Sequence, residues 1–182
     1  MDVLTINVSN VKKEIRKTKR YLKFCDKNNL RIKYDGSDDF WLKKIEHAIN
    51  IKDIKKRYSY IYDTVCSYLD KEYFDNNFCD FKDDVCVYFR ERGELDHKNG
   101  CCYADFRNGM CEHFENRSCK IKSISCKLYS CPLLRENKIN FRMKNIPLIW
   151  YFFNIKQKYF IKYSFFKPKV YVMAKLMDNK TE

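Results

Sequence analysis

The sequence predicts a mostly α fold in which helical arms pack around a loop-rich, cysteine-bearing module. Three observations lead there. Apolar residues recur in steps of three and four through Ile51, Ile54, Tyr58, Ile61, Val65, Leu69 and Tyr73, the spacing of one buried helical face. Only four glycines and three prolines occur in 182 residues, too few turn formers for a many-stranded sandwich. Eight of the ten cysteines and three of the four glycines fall between Cys79 and Cys131, where helical periodicity fades.

In chain order, residues 8–28 predict an amphipathic helix capped by Ser9 or Asn10, with Val11, Ile15, Leu22 and Cys25 near one face. Cys25 reads as a buried thiol, because free cysteine packs as a small hydrophobe. Asn28 to Asp39, with Gly36, reads as a connection. Asp38 or Asp39 can cap the next helix, which buries Phe40, Trp41, Ile45, Ala48 and Ile49. The regular stripe from Ile51 to Tyr73 follows, with Cys66 on its flank as a further core thiol. Past Cys131, Asn145 and Pro147 start another helical region, and Leu148 to Phe166 is strongly apolar and aromatic. Ser164 to Pro168 interrupts the pattern, and Val170 to Met177 reads as a short terminal helix. The division is residues 1–78 as an N-terminal helical region, 79–135 as the cysteine module and 136–182 as basic, aromatic helices, all in one domain.

No segment reads as transmembrane. The longest uncharged run in the C-terminal region, Asn145 to Ile155, is eleven residues, against the roughly 20 that cross a bilayer. Met1 to Arg20 lacks the apolar core and small-residue cleavage site of a signal peptide, so a cytoplasmic protein is expected. In a reducing compartment clustered thiols hold metal more readily than they form disulfides.

The formal charge of +13 is uneven. Residues 1–78 carry 17 Lys/Arg against 12 Asp/Glu, residues 79–131 nine of each, and residues 132–182 eleven against three. The central block is neutral only while its thiols are protonated, and a bound cation would offset the charge that metal binding creates. The basic ends suit nucleic acid, an anionic membrane surface or an acidic protein, and equally suit solvated helix faces, the commoner case; nucleic acid is weakly supported, since their aromatics fit a helical core and no recognised nucleic-acid motif is present.

The thiols are spaced Cys79-x6-Cys86-x14-Cys101-Cys102-x8-Cys111-x7-Cys119-x6-Cys126-x4-Cys131. A four-thiolate zinc site gathers its sulfurs about one ion, usually through close C-x2-C or C-x4-C pairs, and Cys126-x4-Cys131 is the one close pair here. An iron–sulfur cluster of the [4Fe–4S] type takes each thiolate on a different iron and tolerates wider spacing, which favours the cluster over zinc. On a helix Cys119 and Cys126 would lie roughly 10.5 Å apart, too far for one ion, so the chain folds back between them or they serve different sites. The metal-ligating candidates are Cys111, Cys119, Cys126 and Cys131, then Cys102 and Cys101, then Cys86 and Cys79. His97 and His113 are possible imidazole ligands, though each reads first as a surface histidine.

From Gly100 the order Cys101-Cys102, Cys111-Glu112-His113, Cys119-Lys120-Ile121 and Cys126-Lys127-Leu128-Tyr129-Ser130-Cys131 resembles the YkgJ-type CxxCxxCC family of zinc- or iron-chelating proteins. The resemblance implies a metal-binding role for these thiols; a related arrangement in flagellin lysine methylases extends it to protein modification. The family's two leading cysteines fall here at Leu95 and Lys98, and its Arg-Pro between the third and fourth steps is missing. No hydrolase elbow, phosphate-binding loop, dinucleotide fingerprint or zinc-protease motif occurs, and the C-x3-C-x2-C of radical enzymes is absent, so no catalytic residue is assigned. The expectation is an iron–sulfur protein supporting redox or protein-modification chemistry. Its alternative is a zinc-stabilised basic module that binds nucleic acid or an acidic protein. A disulfide-stapled secreted protein and a peripheral membrane role for residues 146–166 rank below both.

Overall fold

The computed structural model describes residues 2–36, 39–76, 81–82, 85–86, 111–115 and 118–178. Its order is β1 (Val3–Asn7), α1 (Val11–Asn28), β2 (Arg31–Asp35), α2 (Asp39–Asn50) and α3 (Ile54–Asp75). The short strands β3 (Phe81–Lys82), β4 (Val85–Cys86), β5 (Phe114–Glu115) and β6 (Ser118–Cys119) come next. The helices α4 (Ile124–Lys127), α5 (Pro132–Glu136), α6 (Pro147–Phe152), α7 (Ile155–Tyr163) and α8 (Lys169–Asp178) complete it. The mostly α reading is correct.

The N-terminal region departs from expectation by a pair of strands. β1 and β2 pair in parallel, with Leu4 opposite Ile32 and Ile6 opposite Tyr34, and α1 is the crossover that parallel pairing requires. Ile6 and Tyr34 are buried, Leu4 and Ile32 half-buried, and their neighbours exposed. This is the period of two of a one-faced strand. The connection expected over Asn28 to Asp39 therefore contains β2. Gly36 closes it at φ +140°, and its Cα faces Val8 so closely that a Cβ would lie 3.2 Å from the Val8 Cβ and carbonyl oxygen.

Helix boundaries follow their caps. The Asn10 side chain accepts from Lys13 N at 3.1 Å, and Asn29 ends α1 in the left-handed region at φ 53°. α3 starts later than its apolar stripe. Asp53 accepts from Lys56 N at 2.6 Å, and Ile51 stays in the preceding loop, its carbonyl accepting two bonds from Arg57. The apolar run after Pro147 is two helices. They meet at Asn154, which forms a capping box with Gln157.

α3 is the central element. Tyr58, Ile61, Val65, Leu69 and Tyr73 are buried as the stripe predicts, and Tyr62 and Cys66 widen it. Helices on more than one side explain the widening, because α3 packs against α2, α4, α6 and α8. One apolar cluster runs from Ile6 and Ile15 through α3 to Ile124, Leu134, Ile149, Ile161 and Leu176. The N-terminal helices, the end of the cysteine module and the C-terminal helices thus share a core. No helix among the described residues is long and apolar enough to cross a membrane.

Candidate metal centre

A hairpin, a tight turn and one turn of helix position the central thiols. β5 and β6 pair antiparallel, Phe114 opposite Cys119, and Lys120 N donates to the His113 carbonyl at 2.8 Å. This draws the Cys111–His113 segment alongside the Cys119 strand. The chain then reverses at Lys122, which adopts φ 52° and donates its N–H to the Cys119 carbonyl at 3.1 Å. Ser123 caps α4 by accepting from Cys126 N at 3.5 Å. Cys119 and Cys126 are therefore not spread along one helix, and the fold-back that their spacing left open is what occurs. It also corrects the expectation that loops alone deliver the thiols: Cys86 and Cys119 lie in strands and Cys126 in a helix.

Ion pairs tie this unit directly to α3, and α7 and α8 hold it from the C-terminal side. Lys169 Nζ donates to Asp63 at 2.6 Å and to Ser59 at 2.7 Å, while Lys122 Nζ lies 3.4 Å from the other Asp63 oxygen. The buried Lys127 is paired with Asp70. Ser125 donates to the Ile161 carbonyl, and Ser123 to the Ser164 carbonyl at 3.3 Å, so α4 is sutured to α7 on its other side. Lys169 N donates to the Ile121 carbonyl at 3.1 Å, fixing the turn to the start of α8.

The Cys126 thiolate would accept from Phe166 N, 3.3 Å from its Sγ. Phe166 takes φ 56° to present that N–H. Burial pushes the Cys126 thiol above its ordinary pKa; contacts with Ser123 and the Phe166 N–H pull it back, and the charges of Cys119 and Cys111 raise it further. Those last two effects concern Cys126 alone. Cys66 belongs to the same neighbourhood. It is 1% exposed, its thiol donates to the Lys122 carbonyl at 3.3 Å, and burial above all holds it protonated, with Cys119 among the charges that add to this.

No family model, curated protein or solved structure matches the chain. The chain's own residues carry the functional argument.

The remaining candidates fall into separate groups. Cys131 is buried in the apolar cluster at the start of α5. Cys86 pairs with Phe81 in the β3–β4 hairpin. Cys79, Cys101, Cys102 and His97 lie outside the described residues. His113 has its Nε2 3.4 Å from Glu112 in the β5 approach. Among the described residues, no three thiol, imidazole or carboxylate groups are close enough to hold a single ion. Cys66 is the thiol that sequence reasoning assigned to the core without connecting it to the site. Both are true of it, and no spacing rule links a residue on α3 to one 53 positions later.

As donors these thiols suit soft metals, but the described residues do not bring three of them together. Cys111, Cys119 and Cys126 are half-buried, and the Phe166 N–H is aimed at the Cys126 sulfur.

Proposed function

We propose that this is a helical, cytoplasmic metal-binding protein whose Cys111, Cys119 and Cys126 thiols, with further cysteines of the 79–131 block, hold an iron–sulfur cluster. The observation that carries the reading is the Phe166 N–H directed at the Cys126 sulfur, in a hairpin-turn-helix unit that also bears Cys111 and Cys119. Cys131, Cys102, Cys101, Cys86 and Cys79 are the pool from which remaining ligands come. Such a cluster would provide one-electron chemistry, and hydrogen bonds to its sulfurs set its potential. The Phe166 N–H is one such bond. The reading extends to support of redox or protein-modification chemistry on a partner protein. The similarity to YkgJ-type proteins in cysteine order points the same way.

Anaerobic purification tests it. Brown protein with about four irons and four labile sulfides per chain is expected. Colourless protein with stoichiometric zinc would replace the cluster with a closed structural zinc site. Protein with neither metal would overturn both.

A further inference from the structure

A concave site is lined by residues of the 125–130 segment, the 140–143 segment and the end of α7. It encloses about 480 Å³, within the range of roughly 300–1,000 Å³ typical of small-molecule sites. Its floor comes from α4 and the residues after it, including Ser125, Leu128 and Ser130. Tyr129 and Phe141 contribute half-buried ring surface. Arg135, Arg142 and Lys162 stand at the exposed rim, and among the described lining residues there is no carboxylate. The Ser130 hydroxyl is buried and lacks a hydrogen-bond partner among the described residues. That hydroxyl is closed off from the hollow, so the polar groups open to a ligand are those of the rim.

We infer that this hollow between α4, α7 and the 140–143 segment binds a small organic oxyanion, a phosphate or carboxylate carried on a flat apolar body. Each part of the ligand meets a matching part of the site. The ring lies on the apolar floor against Tyr129 and Phe141, where a hydrated ion alone would gain nothing. The oxyanion sits at the rim, where guanidinium groups from Arg135 and Arg142 offer paired donors and Lys162 adds charge. Because Ser130 and Tyr129 lie between Cys126 and Cys131, ligand binding acts on the same short segment that carries two of the candidate thiols. The inference itself does not depend on what those thiols bind.

Calorimetric titration of the full-length protein tests it with four probes: phenyl phosphate, benzoate, phenol and inorganic phosphate. At least one of the two aryl oxyanions binds at millimolar concentration, while phenol does not and inorganic phosphate binds more weakly; which aryl oxyanion is preferred identifies the headgroup. Arg142→Gln weakens that binding about tenfold, the loss of one charge-assisted contact. Lys156→Gln removes a positive charge from another face of α7 and leaves it unchanged. Arg142 and Lys156 are exposed, so both variants retain the fold. Failure of both aryl oxyanions to bind, equal binding of inorganic phosphate, or equal losses in Arg142→Gln and Lys156→Gln would each overturn the proposal.

Discussion

Replacing Cys126 with alanine separates a metal ligand from a buried thiol. Without metal, the cost is set by what the thiol touches. Its sulfur accepts from Phe166 N at 3.3 Å and packs half-buried between α4 and the 164–166 turn. Truncation leaves that N–H without its acceptor, a loss of about 1–2 kcal/mol. At roughly 2–4 °C per kcal/mol for a chain of this size, the metal-free melting temperature falls by roughly 2–8 °C. With metal bound, a second contribution appears. A group that binds only the native state at about 1,000 times its Kd adds about 4 kcal/mol, or roughly 8–16 °C. The assay is calorimetric melting of wild type and Cys126→Ala, each as isolated anaerobically and after stripping with chelator and oxidant. Stripping should lower the melting temperature of wild type much more than that of the variant, and metal content should fall in the variant. Cys25→Ala, a buried thiol on α1 remote from α4, should lose stability without losing metal. If stripping leaves wild type unchanged, or if the variant binds as much metal as wild type, Cys126 is not a ligand.

Three further outcomes follow from particular contacts. Gln157→Ala removes the capping partner of Asn154 and leaves the Leu176 carbonyl without the amide that donates to it at 2.9 Å; urea unfolding should show a loss of about 2–4 kcal/mol, and a loss well under about 1 kcal/mol would mean these buried bonds contribute nothing net. Asp63→Asn weakens the tie of both Lys169 and Lys122 to α3; the groups are partly exposed, so about 1 kcal/mol is expected, shrinking as salt is added. The Tyr21 hydroxyl and Lys17 hold the Glu14 carboxyl below its ordinary value of 4.5. A depressed native pKa contributes stability above the unfolded value that is lost as pH falls through the native one, so Glu14→Gln should flatten the decline in urea midpoint below about pH 4.5, and an unchanged acid slope would count against that role.

The sequence revealed the helices wherever one face is buried over several turns. α3 shows this best, since five of the residues its spacing selects are buried. What escaped was set by partners distant in the chain. The strands β1 and β2 are five residues each, and their alternation was too short to stand against the helix that follows. The break at Asn154 depends on a reciprocal side-chain cap, in a run that stays uncharged from Asn145 to Ile155. At the site, the cysteine order named Cys111, Cys119 and Cys126. The chain reversal between Cys119 and Cys126 rests on Lys122 taking a left-handed conformation, which no local signal demanded of a lysine. Cys131 shows the converse: a thiol in good spacing relative to Cys126 that the fold places in its apolar cluster.

The charges around the thiols indicate the kind of chemistry they support. A nucleophilic cysteine needs a lowered pKa, supplied by a free cation or a helix N-terminus. Here the nearby cations are already engaged, Lys122 and Lys169 by Asp63 and Lys127 by Asp70. Burial accordingly pushes both Cys126 and Cys66 toward the protonated form. Gathering several thiols under those conditions makes each harder to ionise alone, because every thiolate formed raises the cost of the next. A multivalent cation reverses that balance in one step, since it binds all the thiolates and neutralises them together. The burial that keeps Cys126 and Cys66 protonated therefore disables them as independent nucleophiles, and ionisation of Cys126 by a bound cation is what the proposed cluster would add. Slow alkylation of Cys126 by iodoacetamide in metal-free protein at neutral pH fits this account; a rate well above that of an ordinary exposed cysteine would point to a reactive thiol.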